Sequence, residues 1–302
     1  MDHKNQHWIP RSYLKAWCDP ERRDKVVHRY APDGAYLDWR PYSRIFSADD
    51  LYTVDVEGTR DVRTEKVFKV IEDEFLRVRR AIESGNPWPA MSKQALAWFI
   101  AATRNRSPAE RDHWQSFKDQ IVEIGDEVEA ALKRASKEER QRIARASIGG
   151  LRDPSRSMTM EEARSAAAEP FGRWVLRHTR IEAELLKKMS FAVLKAPEGV
   201  GFITSDNPVV WHDPLPCDGR LRHIGLDYRL IEVSMPISPR FCLLFDHLGQ
   251  DSSCDIDQST VDMFNDRTLR QCEKYFIANS GDLAVDWYEV GESRTDEGTS
   301  AA

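Results

Sequence analysis

The side chains with the clearest chemical potential follow an apolar segment near residue 204. The run Thr204-Ser205-Asp206-Asn207-Pro208 comes directly after Gly201-Phe202-Ile203, so that a predicted strand ends on four small polar residues. Asp206 could serve there as a ligand or a base, with Asn207 orienting a substrate. The alternative is a local turn in which each side chain bonds its own backbone. The residues alone leave both interpretations open.

Two further positions carry groups suited to acid–base or anion chemistry. His7 precedes Trp8 at the start of a predicted helix, and histidine is the side chain whose ordinary pKa lies nearest neutrality. Arg106 precedes Ser107-Pro108 at the junction of two predicted helices. His7 could act as an acid or base, or it could be a packing residue. Arg106 could clamp an anionic group, or it could cap the carbonyls of the preceding helix.

A divalent metal is the cofactor that the acidic residues suggest. Glu65 and Glu72 are seven residues apart and share one face of a predicted helix. Seven residues of helix span about 10.5 Å, which is too far for both to bind one ion. Either residue would therefore need further ligands from elsewhere, and two salt-bridged carboxylates explain the pair equally well.

The first half of the chain predicts a hairpin followed by helices. Residues 26–30 and 36–39 are β-prone and flank Pro32-Asp33-Gly34, which is turn chemistry. A third short strand is expected at 51–54. Helices are expected from about residue 63, with a stripe that includes Val67 and Val70, from Ser92 as N-cap, and from Ser107-Pro108.

Two apolar seams in the later helices predict an antiparallel helix pair. The first repeats at intervals of three and four residues, and its members are Trp114, Phe117, Ile121, Ile124, Val128 and Ala131. The second has the same spacing, and its members are Phe171, Trp174, His178, Ile181 and Leu185. Such a heptad pattern implies a partner helix at a shallow crossing angle. We expect His178 to be a core histidine.

After residue 189 the pattern changes to that of strands. Strands are expected within 191–194, 201–204, 208–211, 230–235 and 241–245, followed by a helix that contains Val261 and Phe264. Helices clustered in the middle and strands clustered late predict an α+β fold, with a mostly antiparallel sheet packed against a helical bundle. We expect residues 1–288 to form a single domain and residues 289–302 to be a disordered tail.

Composition limits the class of protein. The chain has 302 residues, 44 basic and 50 acidic, and its five cysteines are scattered, which favours reduced thiols and a soluble cytoplasmic protein. Its apolar runs are too short for a membrane span, and no secretory signal is expected. Residues 133–156 hold eight basic and three acidic residues. They could contact nucleic acid, but this is not favoured because no aromatics interleave them. The oligomeric state stays open.

Several of these segments, in this order, resemble a family found in bacteria and fungi that carries domain of unknown function 4238. The family shows an N-terminal His-x-Val-Pro-x-x-Tyr-Leu and a central Ser-Asp-Asn-Pro. The matching positions are 7–14, 65 with 72, 106–108, 189–194, 202–209, 235–239 and 265. This copy has Phe191 where the family often has Trp, and Thr103 where Gln is common. The resemblance implies one domain, draws attention to His7, Arg106, Asp206 and Asn207, and supplies no reaction.

Two functional hypotheses remain. The first is a hydrolase, specifically a metal-dependent phosphodiesterase or nuclease, in which His7, Asp206, Asn207 and Arg106 are catalytic and Glu65 or Glu72 is a metal ligand. The second is a non-catalytic module that binds a ligand or partner and holds a buried network of His7 and Asp206. Under both, we expect His7 to meet the 205–207 loop and to pair with Asp206, which would raise the pKa of His7.

Overall fold

The computed structural model describes residues 5–49, 51, 54–56, 59–61, 63–88, 91–140, 164–165, 167–215 and 225–283. Among these residues, no helix combines the length and the apolar composition that crossing a membrane requires. Most of the basic stretch 133–156, Cys217 and the expected tail 289–302 lie outside the described residues. The single-domain boundary at 288 therefore stays a prediction.

The N-terminal segment is tied down by a short strand and a short helix. Strand β1 (Asn5–His7) pairs with β4 (Ser47–Asp49) in antiparallel register. Helix α1 (Arg11–Leu14) begins after Pro10 as N-cap, and a 3₁₀ turn (Lys15–Trp17) follows it. The predicted helix is thereby confirmed, and its side chains Tyr13 and Leu14, with Trp17 after it, are fully buried.

The predicted hairpin is also confirmed. Strand β2 (Val26–Tyr30) pairs antiparallel with β3 (Tyr36–Pro41). Gly34 in the intervening turn has φ +87°, a conformation that glycine adopts without steric cost. A second small hairpin pairs β5 (Val54–Val56) with β6 (Thr59–Asp61). It contains the last residue of the strand expected at 51–54, and residues 52–53 lie outside the described residues.

Four long helices follow within the described residues. They are α2 (Arg63–Glu83), α3 (Ser92–Asn105), α4 (Pro108–Arg134) and α5 (Phe171–Leu186). Helix α4 begins at Pro108 as predicted, and Ser107 caps it, since the Ser107 hydroxyl accepts the amide of Glu110 at 3.1 Å. Ser92 is the first helical residue rather than the N-cap, which is Met91.

The predicted pairing of the two apolar seams is wrong. Phe117, Ile121 and Ile124 on α4 are 45%, 36% and 59% exposed. Helix α5 packs against α3 instead. On α5 itself, Ile181 is exposed, and the buried residues are Gly172, Trp174, Val175, Thr179, Ala183 and Leu186. At the start of α4, the ring of Trp114 stacks on that of Trp174 in α5, with their centroids 4.8 Å apart.

Two details of the predicted helical stripes also need correction. Val67 and Val70 on α2 are exposed, and Phe68 is buried in their place. His178 is half-buried rather than in the core, with Nδ1 3.1 Å from the carbonyl of Trp174 and its ring stacked on that indole. Burial lowers the pKa of His178.

The last third of the chain supplies most of two antiparallel sheets. Its strands are β7 (Ser190–Lys195), β8 (Thr204–Ser205), β9 (Val210–His212), β10 (Glu232–Ser238), β11 (Phe241–Asp246), β12 (Ser252–Asp255) and β13 (Phe276–Ala278). One sheet has the order β12-β7-β11-β10-β9 and the other β3-β2-β13-β8. Among the strand pairs of the described residues, only β12–β7 is parallel. Helix α6 (Gln258–Arg270) packs beside β8, and the α+β prediction is confirmed.

The strand predicted over 201–204 is shorter than expected for a specific reason. Asn265 on α6 accepts the amide of Ile203 at 2.9 Å and donates to the carbonyl of Gly201 at 3.0 Å. Its buried carboxamide thus takes the place of a neighbouring strand. Regular strand pairing begins only at Thr204.

Candidate functional site

His7 ends strand β1 and is half-buried. Its Nε2 lies 3.2 Å from the carbonyl oxygen of Ser43 and 3.3 Å from Nε of Arg11. One nitrogen cannot donate to the first and accept from the second at once. Burial, followed by the charge of Arg11, lowers the pKa of His7 to about 4. At neutral pH the ring is therefore uncharged, and its Nε2 lies between the Nε–H donor of Arg11 and the carbonyl oxygen of Ser43.

The N-terminal segment meets the 204–207 segment through the residue after His7. Nε1 of Trp8 donates to the backbone carbonyl of Asp206 at 3.3 Å. The proximity of the two segments agrees with the prediction. The predicted pairing of His7 with Asp206 is wrong, because each of these side chains has other partners. The predicted rise in the His7 pKa is also wrong, because burial and the charge of Arg11 lower that pKa.

The side chains of residues 204–207 have separate structural partners. Thr204 donates its hydroxyl to Tyr13 at 2.7 Å, and the Tyr13 hydroxyl donates to the carbonyl of Pro236 at 2.7 Å. Ser205 accepts the amide of Asn207 at 3.1 Å, as the local-turn interpretation expects.

Asp206 reaches beyond its own turn. Its carboxylate accepts the amides of Glu273 at 3.1 Å and Lys274 at 2.8 Å. Asp206 is 6% exposed, and burial raises its pKa although these amides act in the opposite direction. The carboxylate therefore fastens the loop between α6 and β13 to the end of β8.

Arg106 is 2% exposed at the α3–α4 junction. Its guanidinium donates to Glu72 at 2.8 Å and lies over the ring of Phe68 at 5.1 Å. The structure thus joins two residues that the sequence singled out separately, and the contact ties α3 to α2. The catalytic role predicted for Arg106 is not tested by this contact.

The described residues contain no group of three His, Cys, Asp or Glu side chains that could hold a metal ion. Glu65 lies in the first turn of α2, and Glu72 is engaged by Arg106. The metal role predicted for these two residues stays a prediction, with the arrangement of the described side chains offering it no support.

The three motif segments converge on one cleft, which we call the motif cleft. Its space is about 220 Å³ including the open mouth. The lining residues are Trp8, Ser107, Pro108, Ala109, Asp206, Asn207, Glu273 and Lys274. Four segments distant in sequence therefore meet at the N-terminus of α4. The amine of Lys274 lies 5.9 Å from the ring of Trp8.

One cluster of charged groups was missed by the sequence analysis. Glu182 on α5 accepts hydrogen bonds from the guanidinium of Arg104 at 2.8 Å and from the side-chain amide of Asn105 at 2.7 Å. Arg104 also lies 3.2 Å from Glu110 and stacks on Trp211 at 4.0 Å. Burial raises the pKa of Glu182 to about 7.

A sequence signal for Glu182 does exist. Val175, Thr179, Glu182 and Leu186 recur at intervals of four, three and four residues, so that a carboxylate lies beside the buried face of its helix. The sequence analysis did not use this signal, because the apolar seam at 171–185 has the same helical period and was interpreted as the buried face of the helix.

The fold and the site define an α+β protein with two antiparallel sheets, a helical layer and a polar cleft at a helix N-terminus. The chain belongs to the family described as protein of unknown function, DUF4238, whose model matches residues 5–282. The resemblance drawn from the motifs is thereby confirmed. Neither a curated protein nor a solved structure matches the chain.

Proposed function

We propose that this protein is a non-catalytic binding module whose motif cleft holds the anionic end group, a carboxylate or a phosphate, of a ligand or partner. The observation that supports it is a contrast between two sets of polar groups in the cleft or next to it. Those that acid–base chemistry would use are committed to the fold, whereas several hydrogen-bond donors are not.

The committed groups are His7 and Asp206. The imidazole is neutral at physiological pH, and one of its nitrogens faces the carbonyl of Ser43. The carboxylate accepts two consecutive backbone amides. A general base must be free to take up a proton, and a metal ligand must have a lone pair directed at the ion. Neither requirement suits groups that the fold uses in this way.

The uncommitted groups are donors. The Ala109 amide is among the first amides of α4, which have no carbonyl one turn back within the helix. The helix N-terminus carries partial positive charge that favours anions. Asn207 is half-buried, and its carboxamide makes no hydrogen bond within the described part of the chain. Lys274 adds a full positive charge.

Two acidic residues also line the cleft and oppose an anion. The negative charge of Asp206 is stabilised by the two backbone amides that donate to its carboxylate. Burial, and then the proximity of Asp206, raises the pKa of Glu273, which disfavours its charged form. We expect the affinity for a small anion to be weak, with a Kd of about 1 mM.

The size of the cleft limits the ligand. The enclosed part of the cleft has a volume of about 10 Å³, which is about the space that one water needs. The anionic end group therefore lies at the open mouth of the cleft. The rest of the ligand must lie outside.

Titration calorimetry with inorganic phosphate and with acetate tests this proposal and separates the two end groups. Binding of either should weaken about tenfold in Asn207→Ala and in Lys274→Ala, each of which loses one donor to the anion. Lys188→Ala is the matched control, because Lys188 is an exposed lysine after α5. No heat from either anion, or equal loss in the control, would contradict the proposal.

The hydrolase hypothesis stays a prediction and has its own test. Hydrolysis of bis(p-nitrophenyl) phosphate is measured with Mg²⁺, Mn²⁺ or Zn²⁺ present, in the parent chain and in His7→Ala. Turnover that disappears in His7→Ala while the variant stays folded would favour the hydrolase and count against a non-catalytic module.

A further inference from the structure

A second, larger groove lies at the opposite end of the 201–207 segment. Its volume is about 400 Å³. Four parts of the chain form its walls, namely residues 199–202, the β10–β11 turn at 239–240, one face of α6, and residues 278–283. Ligand sites for small molecules commonly enclose about 300–1,000 Å³. The motif cleft is much smaller, so the two sites would take different ligands.

The wall formed by residues 199–202 is held rigidly. Asn265 fixes the backbone on both sides of Phe202, and the Phe202 amide donates to the carbonyl of Pro239 at 2.9 Å. Gly199 has φ +80°, and no atom lies within 4 Å of the position its Cβ would take. A ligand could therefore approach the backbone closely at this point.

The polar groups of the groove include amides that the fold does not use. Within the described residues, the carboxamides of Gln258 and Asn279 form no hydrogen bond. Arg240 donates to the carbonyl of Pro197 at 3.1 Å, which positions its guanidinium. A carboxamide both donates and accepts, and a guanidinium only donates. The groove thus offers both kinds of hydrogen-bonding partner.

The charge of the groove argues against an anion. Arg240 is its one cationic side chain among the lining residues, whereas Asp262 and Asp282 are both acidic. Apolar patches from Val200 and Leu283 lie between these polar groups. A lining that mixes carboxylates, amides and apolar carbon suits a molecule with several hydroxyls and a C–H face.

From this arrangement we propose that the groove binds a neutral polyhydroxylated molecule of the size of a mono- or disaccharide. Its hydroxyls donate to Asp262 and exchange hydrogen bonds with Gln258 and Asn279. Arg240 donates to a ring or hydroxyl oxygen, and a C–H face lies on Val200 and Leu283. This site is independent of the motif cleft and of the function proposed for it.

Saturation-transfer NMR with the full chain tests the site. The probes are glucose, galactose, mannose, maltose and sucrose at about 10 mM, which exceeds a Kd of 1 mM tenfold. We expect transfer to at least one probe, and affinity about tenfold lower in the Gln258→Ala/Asn279→Ala double variant. The Asn207→Ala/Lys274→Ala double variant, altered only in the motif cleft, should bind the saccharide as the parent does.

Each remaining outcome overturns the inference. These outcomes are no transfer to any saccharide, undiminished binding in the groove variant, and binding of inorganic phosphate or glucose 6-phosphate alone. The unfolding transition of each variant is compared with that of the parent chain to show that the variant is folded. Because Gln258 is exposed at the first position of α6, Gln258→Ala alone provides a variant that keeps the fold if the double variant does not.

Discussion

The indole N–H of Trp8 donates to the backbone carbonyl of Asp206, 198 residues further along the chain, at 3.3 Å. This bond joins the N-terminal segment to the end of β8. Asp206 in turn binds the amides of Glu273 and Lys274. The beginning, middle and end of the described chain are therefore linked at the rim of the motif cleft.

Replacing Trp8 by Phe should destabilise the protein by about 1–3 kcal/mol, because a buried carbonyl loses its donor. Denaturant unfolding measures the change. Trp88→Phe is the matched control, since the half-buried Trp88 ring contacts Phe191 and its indole makes no hydrogen bond within the described residues. Equal losses in the two variants would show that the Trp8–Asp206 bond contributes little.

The His7 ring should titrate with a pKa of about 4, as NMR of its ring protons can measure. Because the folded pKa lies below the ordinary 6.5, His7 stabilises the fold above pH 6.5, and this contribution is lost as the pH falls from 6.5 to 4. Arg11→Ala should raise the pKa, since the Arg11 charge opposes protonation. Asp206→Asn should leave it unchanged, and a fall in that variant would restore the pairing predicted from the sequence.

Glu182 should make stability decrease as the pH rises. Its folded pKa of about 7 exceeds the ordinary 4.5, so the folded chain holds a proton that the unfolded chain releases. The contribution is fully present below pH 4.5 and is lost by pH 7, at up to about 3 kcal/mol. The free energy of unfolding, measured between pH 4.5 and 7, should change less with pH in Glu182→Gln than in the parent chain. An unchanged slope would place the Glu182 pKa near its ordinary value.

Two isoleucines distinguish the exposed seam from the core. Ile237→Ala should cost about 2–5 kcal/mol, because Ile237 is fully buried in β10. Ile124→Ala should cost about 0.5 kcal/mol or less, because Ile124 is 59% exposed on α4. The free energy of unfolding in urea compares them. A comparable loss at both positions would mean that the α4 seam is covered in solution.

The sequence analysis correctly predicted those elements whose ends are determined by residues close together in the sequence. The turn at Pro32-Asp33-Gly34 and the start of α4 at Pro108 depend on residues within a few positions of each other, and both were identified correctly. The seam on α4 failed because periodicity defines an apolar face without saying what covers it. The short strand β8 failed because Asn265, about 60 residues away, takes over the hydrogen bonds of the segment before it.

The predicted meeting of the N-terminal segment with the 204–207 segment is seen in the bond between Trp8 and Asp206. The α3–α4 junction lines the same motif cleft through Ser107 and Pro108, whereas the catalytic and metal roles assigned to the site residues stay predictions. The sequence analysis assigned the wrong partner to Asp206 because backbone amides carry no sequence signature. Every residue except proline offers one, so the choice of Glu273 and Lys274 depends on tertiary packing alone.

The most direct test of the binding proposal observes the amide of Ala109 by ¹⁵N-resolved NMR during titration with inorganic phosphate and, separately, acetate. If the motif cleft holds an anionic end group, the Ala109 amide shifts and saturates with one of them, and the shift disappears in the Asn207→Ala/Lys274→Ala double variant. An Ala109 signal that both anions leave unchanged, while the amides of other segments move, would contradict the account.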